Sequence, residues 1–249
     1  MILNLKNISF TFPGKNHLIN NINLELEENN IYSLMGANGS GKTTLFNIIS
    51  GFIKPQSGEI FFKDKNITHF PPYKINRTGI GRTFQDLRII NKLSVKENVI
   101  LSMQNNPEDN WYNAILHGCF FDKANKELNN KADEIIEQFF LEDVKNSFAG
   151  EISYGQQKLL TLAACVSNGA SLLLIDEAVA GVQPEYRNKL SLILKNLKEQ
   201  GKTILVIEHN TDFIGDISDK IFFLYEGKIS EFYNIDALRN DKHVMEAYI

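Results

Sequence analysis

The chain has 249 residues, of which 43% are hydrophobic, and a formal net charge of −4. That length suits one large domain or a domain with a subdomain, and the apolar content is ample for a core. The acidic balance argues against general nucleic-acid binding, which needs a basic face, although it leaves a local basic patch open.

In chain order, "ILNLKNISFTF" and "INNINLELEE" alternate enough to be strands with one wet face. The start "MILNLKNISF" has no long apolar run behind a basic segment, so it does not read as a signal peptide. "NIYSLMG" is a short apolar strand that stops at glycine, and "KTTLFNIISG" should be a helix ending at Gly51. "KPQSGEIFF" reads as a turn into another strand. From Ser94 to about Ala149 the character changes to Asn, Lys, Glu and Phe. Leu128, Ala132, Ile135, Ile136 and Phe139 there have helical spacing. This segment, 94–149, is expected to be a helical subdomain inserted into a core made of 1–93 and 150–249. Trp111, Tyr112, Phe120 and Phe121 in it are read as core or helix-edge residues in preference to a docking role.

Further on, "SYGQQKLLTLAACVSNG" reads as a capped helix packed by Leu159, Leu162, Ala163 and Val166. The longest charge-free run is Leu159 to Ile175, shorter than the roughly 20 apolar residues of a spanning helix. Ser167-Asn168-Gly169 also interrupts it, so the chain is expected to be soluble. "SLLLID", "PEYRNKLSLILKNLKEQG", "KTILVIEH" and "KIFFLYEGKIS" then alternate strand and helix, with Pro184 in a first turn and Gly201 at a helix end. Alternation of this kind implies a parallel sheet with helices on its faces, an α/β fold. The two cysteines, Cys119 and Cys165, lack metal-ligand spacing and have apolar neighbours. They read as buried thiols of a reducing compartment. His17 and His117 belong to no motif.

The strongest chemical signal is "GANGSGKT", comprising Gly36, Ala37, Asn38, Gly39, Ser40, Gly41, Lys42 and Thr43. It fits the phosphate-loop pattern and lies between a predicted strand and a predicted helix, a context that an ordinary glycine turn does not need. The three glycines let backbone N–H groups curl toward a polyphosphate, and the helix start adds partial positive charge. Lys42 is expected to face the β- and γ-phosphates and the Thr43 hydroxyl a Mg²⁺ ion. Thr44 follows in the first helical turn and is included in the ATP site. "LLLIDE" supplies acids at the end of a buried strand, where ligands bind in such sheets. Asp176 is placed to hold Mg²⁺ through water, and Glu177 to polarise the water that attacks the γ-phosphate. "LVIEHN" is a further apolar strand, ending at Glu208-His209.

The order of these landmarks resembles the ATP-binding cassette (ABC) ATPases over essentially the full length. The family's fold is a P-loop NTPase core with an antiparallel β subdomain and an inserted helical subdomain. Its aromatic loop, Walker A, glutamine loop, signature, Walker B, D-loop and histidine switch look like Phe12, Gly36–Thr43, Gln85, "ISYGQ", "LLLIDE", "AGVQ" and His209. The resemblance implies that Phe12 stacks on adenine. It also implies that Gln85 senses Mg²⁺ and the partner, and that His209 contacts the γ-phosphate. In the family, "ISYGQ" completes an ATP site on another subunit. Ser153 would cap the helix, Gly155 would offer its N–H to a γ-phosphate, and Gln156 would face the ribose side, with Tyr154 in place of the common glycine. Two ATP molecules are then sandwiched between two chains, as a homodimer or with a related ATPase subunit.

"GRTFQDLRIINKLSVKENVILS", "YGQQKLLTLA" and "HVMEAYI" look like the ATPase subunits of branched-chain amino acid importers and their relatives, which include lipopolysaccharide-export and urea-import ATPases. The resemblance implies a cytoplasmic protein, peripheral on the inner face of the cell membrane through permease subunits, using ATP and Mg²⁺. Leu87, Ile89, Ile90 and Leu93, near Gln85, either receive a permease helix or pack internally. Three residues depart from the family pattern: Ala178 for proline, Val182 for leucine and Gln183 for Asp or Asn. An exporter ATPase remains open as an alternative. A soluble ABC protein of translation or repair usually has two cassettes, coiled coils or zinc modules, none of which is evident here. A small P-loop kinase or regulatory switch would lack the signature and His209.

Overall fold

The computed structural model describes residues 1–14, 18–103, 118–241 and 244–245, with side chains of the long helix described from 126 onward. His17, Trp111, Tyr112, His117 and most of "HVMEAYI" lie outside the described residues, as do the side chains of Cys119, Phe120 and Phe121.

In the first half of the chain are β1 (Leu3–Phe10), β2 (Ile19–Leu26), β3 (Ile31–Met35), α1 (Lys42–Ile49), β4 (Ser57–Phe62), β5 (Lys65–Asn66), α2 (Pro72–Thr78), β6 (Ile80–Arg82) and α3 (Val95–Leu101). Then come α4 (Gly118–Gln138), α5 (Tyr154–Ser167), β7 (Leu172–Asp176), α6 (Pro184–Glu199), β8 (Thr203–Ile207), α7 (Thr211–Ile217), β9 (Lys220–Tyr225), β10 (Lys228–Phe232) and α8 (Ile235–Arg239). The chain divides into two compact units.

The first unit comprises 1–82, 171–180 and 194–249. It holds a four-stranded antiparallel sheet, ordered β2-β1-β4-β5, and a six-stranded sheet, ordered β10-β9-β3-β8-β7-β6. The antiparallel strands bury alternate side chains, as β2 does with Ile19, Ile22, Leu24 and Leu26. By contrast β3, β7 and β8 are buried at every residue, the pattern of parallel strands covered on both faces. β3 pairs in parallel with β8, and β8 with β7. Leu34 and Asp176 both lie opposite Ile207. The carboxyl ends of the three strands therefore fall side by side at one edge. One apolar cluster joins Leu3 and Leu5 of β1 to Leu45, Phe46 and Ile49 of α1 and to Leu174 and Leu205 of the parallel sheet.

The "KIFFLYEGKIS" segment is a hairpin rather than one element: β9 and β10 pair antiparallel around Glu226 and Gly227, both at positive φ. The short helices α2 and α7 lack the long apolar periodicity that reveals a helix in sequence. α2 begins with Pro72. α7 is capped by Asn210, whose side chain accepts from the Phe213 N–H.

The second unit comprises 83–170 and 181–193. α3, α4 and α5 bury Val95 and Val99, Ala132 and Ile136, and Leu159, Leu162, Ala163 and Val166 respectively, and Phe139 just after α4 is buried as well. Ser94 and Glu97 form a capping box at the start of α3, satisfying two N–H groups that a bare helix start leaves open. The buried Asn98 side chain binds Ile90, Leu93 and Ser94 carbonyls and accepts from the Ile90 N–H. It thus pins the irregular chain before α3. Cys165 is buried and its thiol is pushed up to about 12 by that burial, so it stays protonated at neutral pH.

Candidate functional site

The phosphate loop runs from the end of β3 into α1. Gly36 has φ 149, and a Cβ there would collide with the Leu224 carbonyl and meet Ser40 Oγ. α1 begins after Gly41 with no side-chain cap, so its first N–H groups are left for a ligand. Ser40 Oγ is buried without a hydrogen-bond partner in the protein. An uncapped helix start and an orphaned buried hydroxyl are what a polyphosphate would complete. Thr43 is exposed and Thr44 half-buried in the first turn.

Lys42 does not project into solvent. It is only 6% exposed, and its Nζ donates to the carbonyls of Gly36 at 2.7 Å and Ala37 at 2.9 Å. Burial lowers its pKa, while Glu177 and Asp176 pull it back up. The ammonium is therefore held inside the loop by two carbonyls, a place from which it can exchange them for phosphate oxygens.

Asp176 ends β7 and is 3% exposed. Glu177 follows at φ 49, a left-handed conformation uncommon for a residue with a Cβ. Its N–H donates to the Ile207 carbonyl of β8, which fixes the turn that aims its carboxylate. His209, just beyond the end of β8, has Nε2 3.6 Å from Glu177 Oε1. Burial lowers the His209 pKa and the charge of Lys42 lowers it further, against the opposing pull of Glu177. The neutral imidazole is therefore favoured in the free chain. Lys42, Asp176, Glu177 and His209 thus lie at the ends of three neighbouring strands and act on one another electrostatically.

Two residues beside this set were given no role from the sequence. Arg82 of β6 lies 3.7 Å from Asp176 Oδ2 and donates to Asn47 Oδ1 and Ser50 Oγ near the end of α1. It ties the acid's strand neighbour to the helix that follows the phosphate loop. Glu208 is buried, and its Oε1 accepts from the Val179 N–H at 2.8 Å. That bond holds the backbone just after Glu177. A glutamate ending a wholly apolar strand was the available clue, since a buried charge needs a partner. Phe12 is 38% exposed and sits edge-on to Phe10, leaving ring surface open.

In the second unit, Gln85 is exposed on the irregular segment after β6. Ser153 caps α5 and forms a capping box with Gln156. Tyr154 is exposed with Lys158 over its ring, and Gly155 is buried against Tyr186. Gln183 accepts from the Tyr186 and Arg187 N–H groups at the start of α6.

Among the described residues no group of three or more His, Cys, Asp or Glu side chains is arranged to hold a metal.

A phosphate loop, a paired Asp-Glu at a neighbouring strand end and a histidine between them define a P-loop nucleotide triphosphatase. The sequence model of the family described as ABC transporter matches residues 19–180, and the chain belongs to that family, as its ATP-binding, ATP-hydrolysing cassette. It is 33% identical over 232 residues to the Escherichia coli K12 high-affinity branched-chain amino acid transport ATP-binding protein LivG, covering 93% of this chain and 91% of that one. A crystal structure of a nucleotide-free ATP-binding cassette from an ABC transporter superposes with a TM-score of 0.84 at 30% identity, covering 100% and 98% of the two chains. A dimeric post-hydrolysis cassette bound to ADP and Pi superposes at 0.75 with 25% identity, covering 93% and 98%. No described helix is long and apolar enough to cross a membrane.

Proposed function

We propose that this chain is the ATPase of an importer for amino acids of the branched-chain type, held at the cytoplasmic face of the cell membrane by permease subunits. The observation that carries the ATPase chemistry is the convergence of Lys42, Asp176, Glu177 and His209 at one edge of a parallel sheet. The likeness to LivG over 93% of the chain supports the amino-acid reading.

Phe12 stacks on adenine, and Gly36 through Thr44 wrap the phosphates with Lys42 on the β and γ groups. Thr43 and Asp176 offer the hydroxyl and carboxylate oxygens that suit Mg²⁺, which when bound would neutralise charge on the phosphates. Glu177 takes a proton from the attacking water. His209 contacts the γ-phosphate as a hydrogen-bond partner. Ser153, Tyr154, Gly155 and Gln156 of a second cassette close the site, and the dimeric relative supports that arrangement. The helical insertion, 94–149, together with Leu87, Ile89, Ile90 and Leu93, is assigned to the permease side. Ile90 is exposed there and the other three are half-buried.

The test is reconstitution with permease subunits and a solute-binding protein of the branched-chain amino acid type. ATP hydrolysis in proteoliposomes should rise when the binding protein carries leucine, isoleucine or valine. Hydrolysis stimulated only by a lipid substrate would overturn the importer reading.

A further inference from the structure

We infer that Tyr186, on the first turn of α6, is a positioning residue for the signature at the start of α5. This rests on the proposed role of Ser153 and Gly155 toward a partner's nucleotide.

Tyr186 Oη lies 3.1 Å from Ser153 Oγ. The proton arrangement follows from the neighbours. The Ser153 backbone N–H donates to Gln156 Oε1 at 2.9 Å, so the amide presents its oxygen there. Ser153 Oγ is 2.9 Å from the same oxygen, which can only accept, so the single serine hydrogen goes to Gln156. Tyr186 must then be the donor to Ser153 Oγ, which also accepts from the Gln156 N–H at 3.4 Å. Every bonding position of the serine hydroxyl is set inside its own chain.

The ring has a second effect. A Cβ on Gly155 would come within 2.7 Å of the Tyr186 ring. The ring therefore lies flush against the Gly155 backbone and sets its height, while Lys189 covers it from the next turn at 5.5 Å. Tyr186 and Arg187 are anchored by N–H donation to the Gln183 carbonyl, at 3.1 and 3.2 Å. The signature serine is thus linked through one phenol to the helix that begins directly after "AGVQ". A phosphate that draws the Ser153 hydrogen away from Gln156 would be signalled to that segment through Tyr186.

The test uses Tyr186→Phe, which keeps the ring under Gly155 and removes only the hydroxyl. Exchange of the Gln156 amide in the free chain, read by NMR, should quicken by roughly two- to tenfold, the scale of one lost hydrogen bond. Unchanged exchange would overturn the inference.

A second arm measures ATP-driven dimerisation in the Glu177→Gln background. Tyr186→Phe should weaken the dimer by a similar factor, leave ATP affinity of the free chain unchanged, and have no further effect once Ser153→Ala is present. If Ser153→Ala weakens the dimer and Tyr186→Phe does not, Tyr186 has no positioning role. If Ser153→Ala has no effect, or the parent does not dimerise, the shared-site reading fails instead, and the amide exchange still decides for or against Tyr186.

Discussion

His209 Nε2 lies 3.6 Å from Glu177 Oε1, close enough for the carboxylate to act on the charge of the imidazole. Burial and Lys42 lower the His209 pKa, and Glu177 raises it. Removing the ammonium with Lys42→Met should therefore move the His209 titration upward, and Glu177→Gln should move it further down. The check is an NMR titration of the ring Cε1–H in each variant. The sign for stability follows. A histidine with a depressed folded pKa binds fewer protons when folded, so stability falls as pH drops through the unfolded value of about 6.5. His209→Gln should flatten denaturant melts compared between pH 7.5 and 5.5. An upward shift in Glu177→Gln would show that the pair does not interact as described.

Lys42→Met should weaken ATP binding by roughly 10- to 100-fold, the scale of charged hydrogen bonds to phosphate. Calorimetric titration with Mg²⁺ measures it. Because Nζ also holds the Gly36 and Ala37 carbonyls in the free chain, a melting shift of a few degrees should accompany the loss. Full ATP affinity in a folded variant would remove Lys42 from the site.

Phe12→Ala removes a ring that has open surface and sits edge-on to Phe10. Aromatic stacking on a base contributes about 1–3 kcal/mol and tolerates any base. ATP and GTP should therefore lose affinity alike, by roughly 5- to 150-fold. A loss confined to ATP would mean base-edge recognition instead of stacking.

Glu177→Gln keeps side-chain length and hydrogen-bonding capacity but cannot accept the water proton. Turnover should fall by about 10²- to 10⁴-fold, with ATP binding retained and a dimer accumulating in light scattering. Hydrolysis at the unsubstituted rate would assign the base elsewhere.

Much of the site was legible because its residues follow strands whose apolar runs are unbroken. "IYSLM", "LLLID" and "TILVI" each announce a buried strand, and the chemistry sits at its end. Arg82 was not legible, because its meaning depends on β6 lying beside β7, which no local pattern encodes. Tyr186 was hidden for the same reason: it is 33 residues from Ser153. The turn at Glu226-Gly227 has only the glycine of a typical two-residue hairpin loop, and the alternation of helix and strand before it obscured that weak signal.

The last prediction is that each ATP site is shared between two chains. One partner should carry Lys42→Ala. For the other, Gly155→Asp is unsuitable, since a side chain at 155 would first displace Tyr186 within its own chain. Ser153→Asp is better: Ser153 is exposed and aspartate caps helices well, so the fold is kept while a negative charge faces the γ-phosphate. Each homodimer then has two defective sites. In a mixed dimer one site combines both defects. The other joins the intact phosphate loop of the Ser153→Asp chain to the intact signature of the Lys42→Ala chain, and should trap one ATP. If each site lay within one chain, mixing would restore nothing. Trapped nucleotide is the appropriate readout, because transport can require both sites to fire. Verified mixed dimers with no gain in trapped ATP would refute the shared site and remove the signature role assigned to Ser153.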